Sequence, residues 1–168
     1  MKKVRIRKIV VVIVAAVLLL TAYFVYSGPM TLPQLYPMLT LDKCTEIRGY
    51  YCTGTSTGHT EFTAAHNSEA FQKLCGLFYE RNYRRSLRDI LPRGTRTHQT
   101  RGDDFQWDVY FCFEGIEFPD GSTGSGALLN IQNWYGELDL FSDGEWYSCR
   151  THEQEAWAKE VLAVIQNT

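Results

Sequence analysis

A chain of 168 residues with 17 basic and 19 acidic side chains is close to neutral overall, but its charge is divided along its length. Lys2, Lys3, Arg5, Arg7 and Lys8 precede any acid, which leaves 12 basic against 19 acidic residues in the remainder, a balance of −7. A nucleic-acid partner would want a basic domain, so that class is excluded.

Residues 9–26 read IVVVIVAAVLLLTAYFVY, with no charge and only Thr21 clearly polar. As a helix this run spans roughly 27 Å, close to the hydrocarbon thickness of a bilayer. Tyr23 and Tyr26 fall at its far end, where amphipathic rings suit the membrane–water boundary. Five cations precede the run, and the next basic residue after it is Lys43. This asymmetry predicts a cytoplasmic tail (1–8), a transmembrane signal-anchor (9–26) and an extracytoplasmic remainder in the cell membrane. A cleaved signal peptide would have a shorter apolar core and a small-x-small site. The sequence around Ser27 supplies only a poor one.

Residues 27–42 carry Pro29, Pro33 and Pro37 at intervals of four. Proline fixes φ and removes donors, so this stretch reads as an extended, stiff spacer that holds the domain off the membrane. Its Leu and Met residues suggest partial packing on that domain. The domain itself is expected over 43–168, about one domain's worth of chain.

Lys43 to Thr53 and His59 to Ala64 read as a hairpin across the GTSTG loop. Asn67 or Ser68 can cap a helix with Glu69 in its first turn, and Phe71, Leu74, Cys75 and Phe78 have the spacing of one buried face. A short extended segment follows at Tyr83–Ser86, then one further turn over Leu87–Leu91 stopped by Pro92. Arg93 to Asp104 is polar and reads as a loop. The clearest strand comes next: Phe105, Trp107, Val109, Phe111 and Phe113 alternate with Gln106, Asp108, Tyr110, Cys112 and Glu114. That pattern predicts one face on the core and one toward water. A Gly/Ser-rich loop over 119–126, strands near Ala127–Trp134, Glu137–Phe141 and Glu145–Cys149, and a final helix complete the chain. Thr151 and Gln154 have capping-box spacing ahead of that helix, and Trp157, Val161 and Ile165 form its inner stripe. The order predicts an α+β domain: a mostly antiparallel sheet with two helices packed on one face.

The residues capable of chemistry do not assemble into a catalytic or metal constellation. His59, Glu61 and His66 straddle a strand and a loop, whereas metal ligands must converge. Asp103, Asp104, Asp108, Glu114 and Glu117 supply carboxylates, but Asp108 and Glu114 lie about 20 Å apart along a straight strand. That is too far for paired acid chemistry, so a solvated face is expected. Ser125 reads as a turn residue. The five cysteines, Cys44, Cys52, Cys75, Cys112 and Cys149, are an odd count with no metal spacing. They read as mostly buried small hydrophobes with at most one bridge, and Cys44 and Cys52 are too distant on one strand to bridge each other. No cofactor is implied, and no enzymatic activity is expected.

The arginines carry positive content. Arg81, Arg84, Arg85, Arg88, Arg93, Arg96 and Arg101 fall within 21 residues against one acid, Asp89. They can pair with the acidic remainder of the fold, or Arg81, Arg84, Arg85 and Arg88 can grip an anionic envelope polymer, lipid headgroups or an acidic protein partner.

The basic start and anchor, proline-containing spacer, YRRSLRDILP stretch, W-x-V-x-F-x-F strand and terminal SDGEWY hairpin together resemble the small, single-pass, extracytoplasmic, uncharacterised proteins of Gram-positive bacteria. The resemblance implies architecture and location, with no activity to carry over. The function expected is binding or sensing of an envelope component by a membrane-anchored domain. The alternatives are an accessory subunit docking another envelope protein and, less favoured, an envelope hydrolase.

Overall fold

The computed structural model describes residues 2–54, 58–86, 105–134, 137–142 and 145–168. The expected turn at 87–91 and the polar loop at 93–104, with Arg88, Arg93, Arg96 and Arg101, lie outside the described residues.

Helix α1 spans Lys2–Tyr26. Its Lys8–Tyr26 stretch has a mean hydropathy of 2.8 over 19 residues, with none of it buried against the rest of the chain. That is apolar and long enough to cross a membrane. The chain then enters the sheet almost at once. Strand β1 (Pro29–Met30) pairs antiparallel with β4 (Tyr83–Arg85), Pro29 opposite Arg84 and Met30 opposite Tyr83. A helical turn, α2 (Leu32–Leu35), follows, and Gln34 Oε1 accepts the Thr31 backbone N–H at 2.9 Å. Leu32 and Leu39 are buried in the core. The segment 27–42 is therefore an edge strand and a packed turn of the domain. Its apolar residues pull it onto the core.

Eight strands form one antiparallel sheet in the order β1-β4-β8-β7-β6-β5-β2-β3. The hairpin of β2 (Cys44–Thr53) and β3 (Thr60–Ala65) lies at one edge. Strands β5 (Phe105–Glu117), β6 (Thr123–Trp134), β7 (Glu137–Ser142) and β8 (Glu145–Arg150) follow as a meander. Helix α3 (Glu69–Tyr79) connects β3 at one edge to β4 near the other, so the chain must cross the sheet. Ser68 caps it, its Oγ accepting the Phe71 N–H at 3.1 Å. Strand β6 begins earlier than the Gly/Ser composition suggests, with Gly124 opposite Ile116 and Gly126 opposite Phe113. Past a register shift at Gly115, which holds φ +59°, β5 continues beyond Glu114. The Ser125 hydroxyl accepts the Gly115 N–H at 3.1 Å and closes this irregularity.

Helix α4 (Gln154–Gln166) packs beside α3 on the same sheet face. The Phe78 ring lies edge-on to Trp107 (5.7 Å between centroids), Phe111 (5.5 Å) and Trp157 (5.4 Å), and Trp107 meets Trp157 at 5.6 Å. Such edge-to-face pairs add to the burial of large rings. Both indole N–H groups are satisfied, Trp107 Nε1 donating to Ala158 O and Trp157 Nε1 to Leu77 O, each at 3.0 Å. Thr151 does not cap α4. Its hydroxyl donates to Asn82 O at 2.9 Å and accepts from Arg81 Nε at 2.7 Å. The cap position falls to Glu153, with φ +48° and no side-chain cap bond.

Two substitutions test this packing. Phe78→Ala leaves a void shared by the sheet and both helices and is expected to cost about 3–5 kcal/mol in denaturant unfolding. At Gly49, a Cβ would stand 1.9 Å from the Asp108 backbone oxygen on the neighbouring strand. Gly49→Ala must push β2 from β5 and is expected to cost about 1–3 kcal/mol or more by the same assay.

Candidate functional site

The arginines divide by role. Arg81 donates from Nε to Thr151 Oγ1 and from its terminal nitrogen to His152 O, and its guanidinium stacks on Trp157 at 5.0 Å. It ties the end of α3 to the β8–α4 junction. Arg85 is half-buried between aromatic rings, 4.4 Å from Tyr147 and 5.8 Å from Tyr26 at the end of α1. Arg81 is engaged through a ring, a hydroxyl and a backbone oxygen and Arg85 through rings, neither with an ion-pair partner among the described residues.

Arg84 differs. It projects to the sheet face opposite α3 and α4, helix-free among the described residues, is exposed, and pairs in register with Arg150 of β8, also exposed. Neither has an ion-pair partner among the described residues. Like charges directly opposite on an antiparallel pair repel. Arg150 lies 49 residues beyond the sequence cluster, and only the β4–β8 register brings it to Arg84. Pro29, opposite Arg84, is three residues past the end of α1.

The helix-free face holds a second constellation. Asp108, expected on a solvated face, is fully buried, as is Cys112 on the same face, so the alternation in β5 does not divide core from water. Register sets a polar row across five strands: Glu61, Tyr50, Asp108, Gln132 and Asp139. Trp134 Nε1 donates to Asp108 Oδ2 at 3.3 Å. Tyr50 and Gln132 stand beside the carboxylate, but neither reaches Oδ1 in hydrogen-bonding geometry, and that atom is buried without a partner. Asn130, 6 % exposed, likewise leaves its Oδ1 buried without a partner. The Tyr50 ring lies 6.3 Å from Tyr110 and 5.0 Å from His59.

Burial raises the Asp108 pKa above the usual carboxylate range, against the opposing pull of Tyr50, Trp134, Gln132 and His59. Burial, then Asp108 and Tyr110, raises the Tyr50 phenol. Sequence reading missed Asp108 because its spacing was measured only along its own strand. The available signal was a carboxylate between Trp107 and Val109 in the most apolar strand of the chain.

The other residues considered for chemistry are scattered. His66 Nδ1 lies 2.6 Å from Cys44 O and its ring packs edge-on to Phe71, which fixes the β3–α3 turn to β2. Among the described residues no three His, Cys, Asp or Glu side chains converge on a metal position. Glu114 and Glu117 are exposed, and Asp103 and Asp104 lie outside the described residues. No disulfide joins the five cysteines, and Cys52 alone is less than fully buried. Burial pushes the Cys44 and Cys75 thiols up to about 12.

No protein-family model, curated protein or solved structure matches the chain.

Two measurements check these environments. Iodoacetamide labelling of folded protein at pH 8, read by peptide mass spectrometry, is expected at Cys52, with Cys44 and Cys75 modified only after unfolding. For Asp108, a raised folded pKa means the folded state binds more protons between the unfolded and folded pKa values. Its contribution to stability therefore falls as pH rises through that window and is restored as pH falls. Asp108→Asn should flatten this part of the Tm–pH profile.

Proposed function

We propose that the chain is a single-pass membrane protein, N-terminus cytoplasmic, whose extracytoplasmic α+β domain binds an anionic envelope component and carries out no chemistry. The observation carrying this reading is the Arg84–Arg150 pair. Two exposed guanidinium groups face each other across adjacent strands without a neutralising acid among the described residues. An anion between them converts repulsion into charge-assisted hydrogen bonds, for which the guanidinium fork is well shaped.

The position of the pair favours lipid headgroup phosphate over a more distant polymer. Pro29 is at most about 10 Å of chain from the last residue of α1, and β4 is one strand spacing, about 4.8 Å, to its side. Arg84 therefore stands near the point where the chain would leave the bilayer. The acidic balance of the remaining domain keeps other surfaces away from the same headgroups. A docking subunit would show a broad apolar face. Outside α1, Trp134 is the one exposed large hydrophobic residue among the described residues.

The test uses the full chain in nanodiscs containing equal anionic and zwitterionic lipid, with retained lipid read by native mass spectrometry. Wild type should retain anionic lipid preferentially. Arg84→Glu with Arg150→Glu should lower that preference about tenfold, the scale of one lost charge-assisted hydrogen bond. Equal retention by both proteins would remove the basis of this proposal.

A further inference from the structure

The helix-free face poses a question separate from the arginines. Asp108 is fully buried and Asn130 nearly so, although both helices pack on the opposite side of the sheet. Tyr50, Tyr110, Gln132 and Trp134 surround them on neighbouring strand positions. A buried acceptor without a donor costs of order 1–3 kcal/mol, and more when the group is charged. Here there are two, Asp108 Oδ1 and Asn130 Oδ1. Asp108 faces Gln132 and Asn130 faces Tyr110, so Asp108 and Asn130 are diagonal neighbours across β5 and β6. Diagonal positions are roughly 7 Å apart. One donor group making two hydrogen bonds of about 2.8 Å bridges oxygens up to about 5.6 Å apart, a separation that side chains on diagonal positions reach by leaning toward each other.

The surroundings select the class of donor. Gln132 in turn faces Asp139, and Tyr50 faces Glu61, so carboxylates flank the Asp108 position along the row. Arg48, opposite Tyr110 on the same face, is exposed and lies 3.8 Å from Glu46, and Arg84 and Arg150 lie on β4 and β8, beyond β7. An anion would meet these carboxylates unfavourably. A metal ion would want several converging ligands, which the described residues do not supply. A neutral hydroxyl could fill the acceptors but would leave the buried charge uncompensated. A cationic N–H donor answers both needs, and Tyr50, Tyr110 and Trp134 supply aromatic neighbours, which suit a cation.

We infer that Asp108 and Asn130, walled by Tyr50, Tyr110 and Trp134, form a binding site for the primary ammonium group of a small ligand. Asp108 supplies the counter-charge and one acceptor, and Asn130 supplies the second. Trp134 is the entrance. It is 37 % exposed and held to the carboxylate by a long 3.3 Å bond, so its displacement gives up little.

The experiment titrates methylammonium chloride into the full chain in nanodiscs, with sodium chloride at equal ionic strength as reference, and follows the Trp134 indole N–H by NMR. Its resonance is assigned by its loss in Trp134→Phe. A saturable shift is expected for methylammonium, with tetramethylammonium, which has charge but no N–H, binding at least several-fold more weakly. Asp108→Asn keeps the side-chain shape and should weaken methylammonium binding tenfold or more. Asn130→Ala leaves the carboxylate in place and should weaken it several-fold, so the proposal stays testable if the Asp108 variant does not fold. A non-saturating response equal to that of sodium chloride would mean that solvent alone fills the site and would overturn the inference. Binding unchanged in a folded Asp108→Asn or Asn130→Ala protein would do the same. Neither arm involves Arg84 or Arg150, so this result and the lipid measurement stand or fall separately.

Discussion

The contact between Phe78, Trp107 and Trp157 is what the rest of the molecule depends on. It joins a central strand to both helices through three edge-to-face ring pairs. Each indole N–H is also committed to a helix carbonyl, so the rings are fixed in orientation as well as buried. Because α3 must carry the chain across the sheet, this joint determines where β4 can be delivered. It thereby places Arg81 on Trp157, and Arg84 and Arg85 beside β8.

That delivery also defines how α1 meets the domain. Strand β1 completes the sheet edge two residues after Ser27, and Arg85 bridges Tyr26 and Tyr147 through its guanidinium. A chain entering a sheet so soon after a helix has few free torsions between them. Arginine is suited to this position because its planar group stacks on rings. Of the three arginines of the cluster among the described residues, Arg81 and Arg85 thus hold the fold together and Arg84 remains available at its surface.

The sheet separates two kinds of interior. Facing the helices, β5 contributes Trp107, Val109, Phe111 and Phe113, all fully buried. Facing away, it contributes Asp108 and Cys112, which are buried, and Tyr110, which is half-buried. The first interior is apolar and satisfied. The second contains buried acceptors without donors, an arrangement that stability alone does not favour.

The sequence by itself determined the features that depend on neighbours within a few residues. The apolar run of α1, the Ser68 cap, the helical stripe of Phe71, Leu74, Cys75 and Phe78, the alternation in β5 and the closing hairpin are local periodicities. They were sufficient for an α+β sheet with both helices on one face. Reading failed where a local signal met a distant competitor. Thr151 has the spacing of a cap, but Arg81 and Asn82, some seventy residues away in sequence, claim its hydroxyl. The prolines of 27–42 announce an extended spacer, but Leu32 and Leu39 find the core. Asp108 is polar and alternates outward, yet the β2–β5–β6 register surrounds it with Tyr50, Gln132 and Trp134. Only the tertiary structure decided that Arg84 has no acid beside it among the described residues and that Asp108 is buried. Both outcomes depend on which strands lie side by side, and strand pairing joins residues whose separation along the chain leaves no local trace.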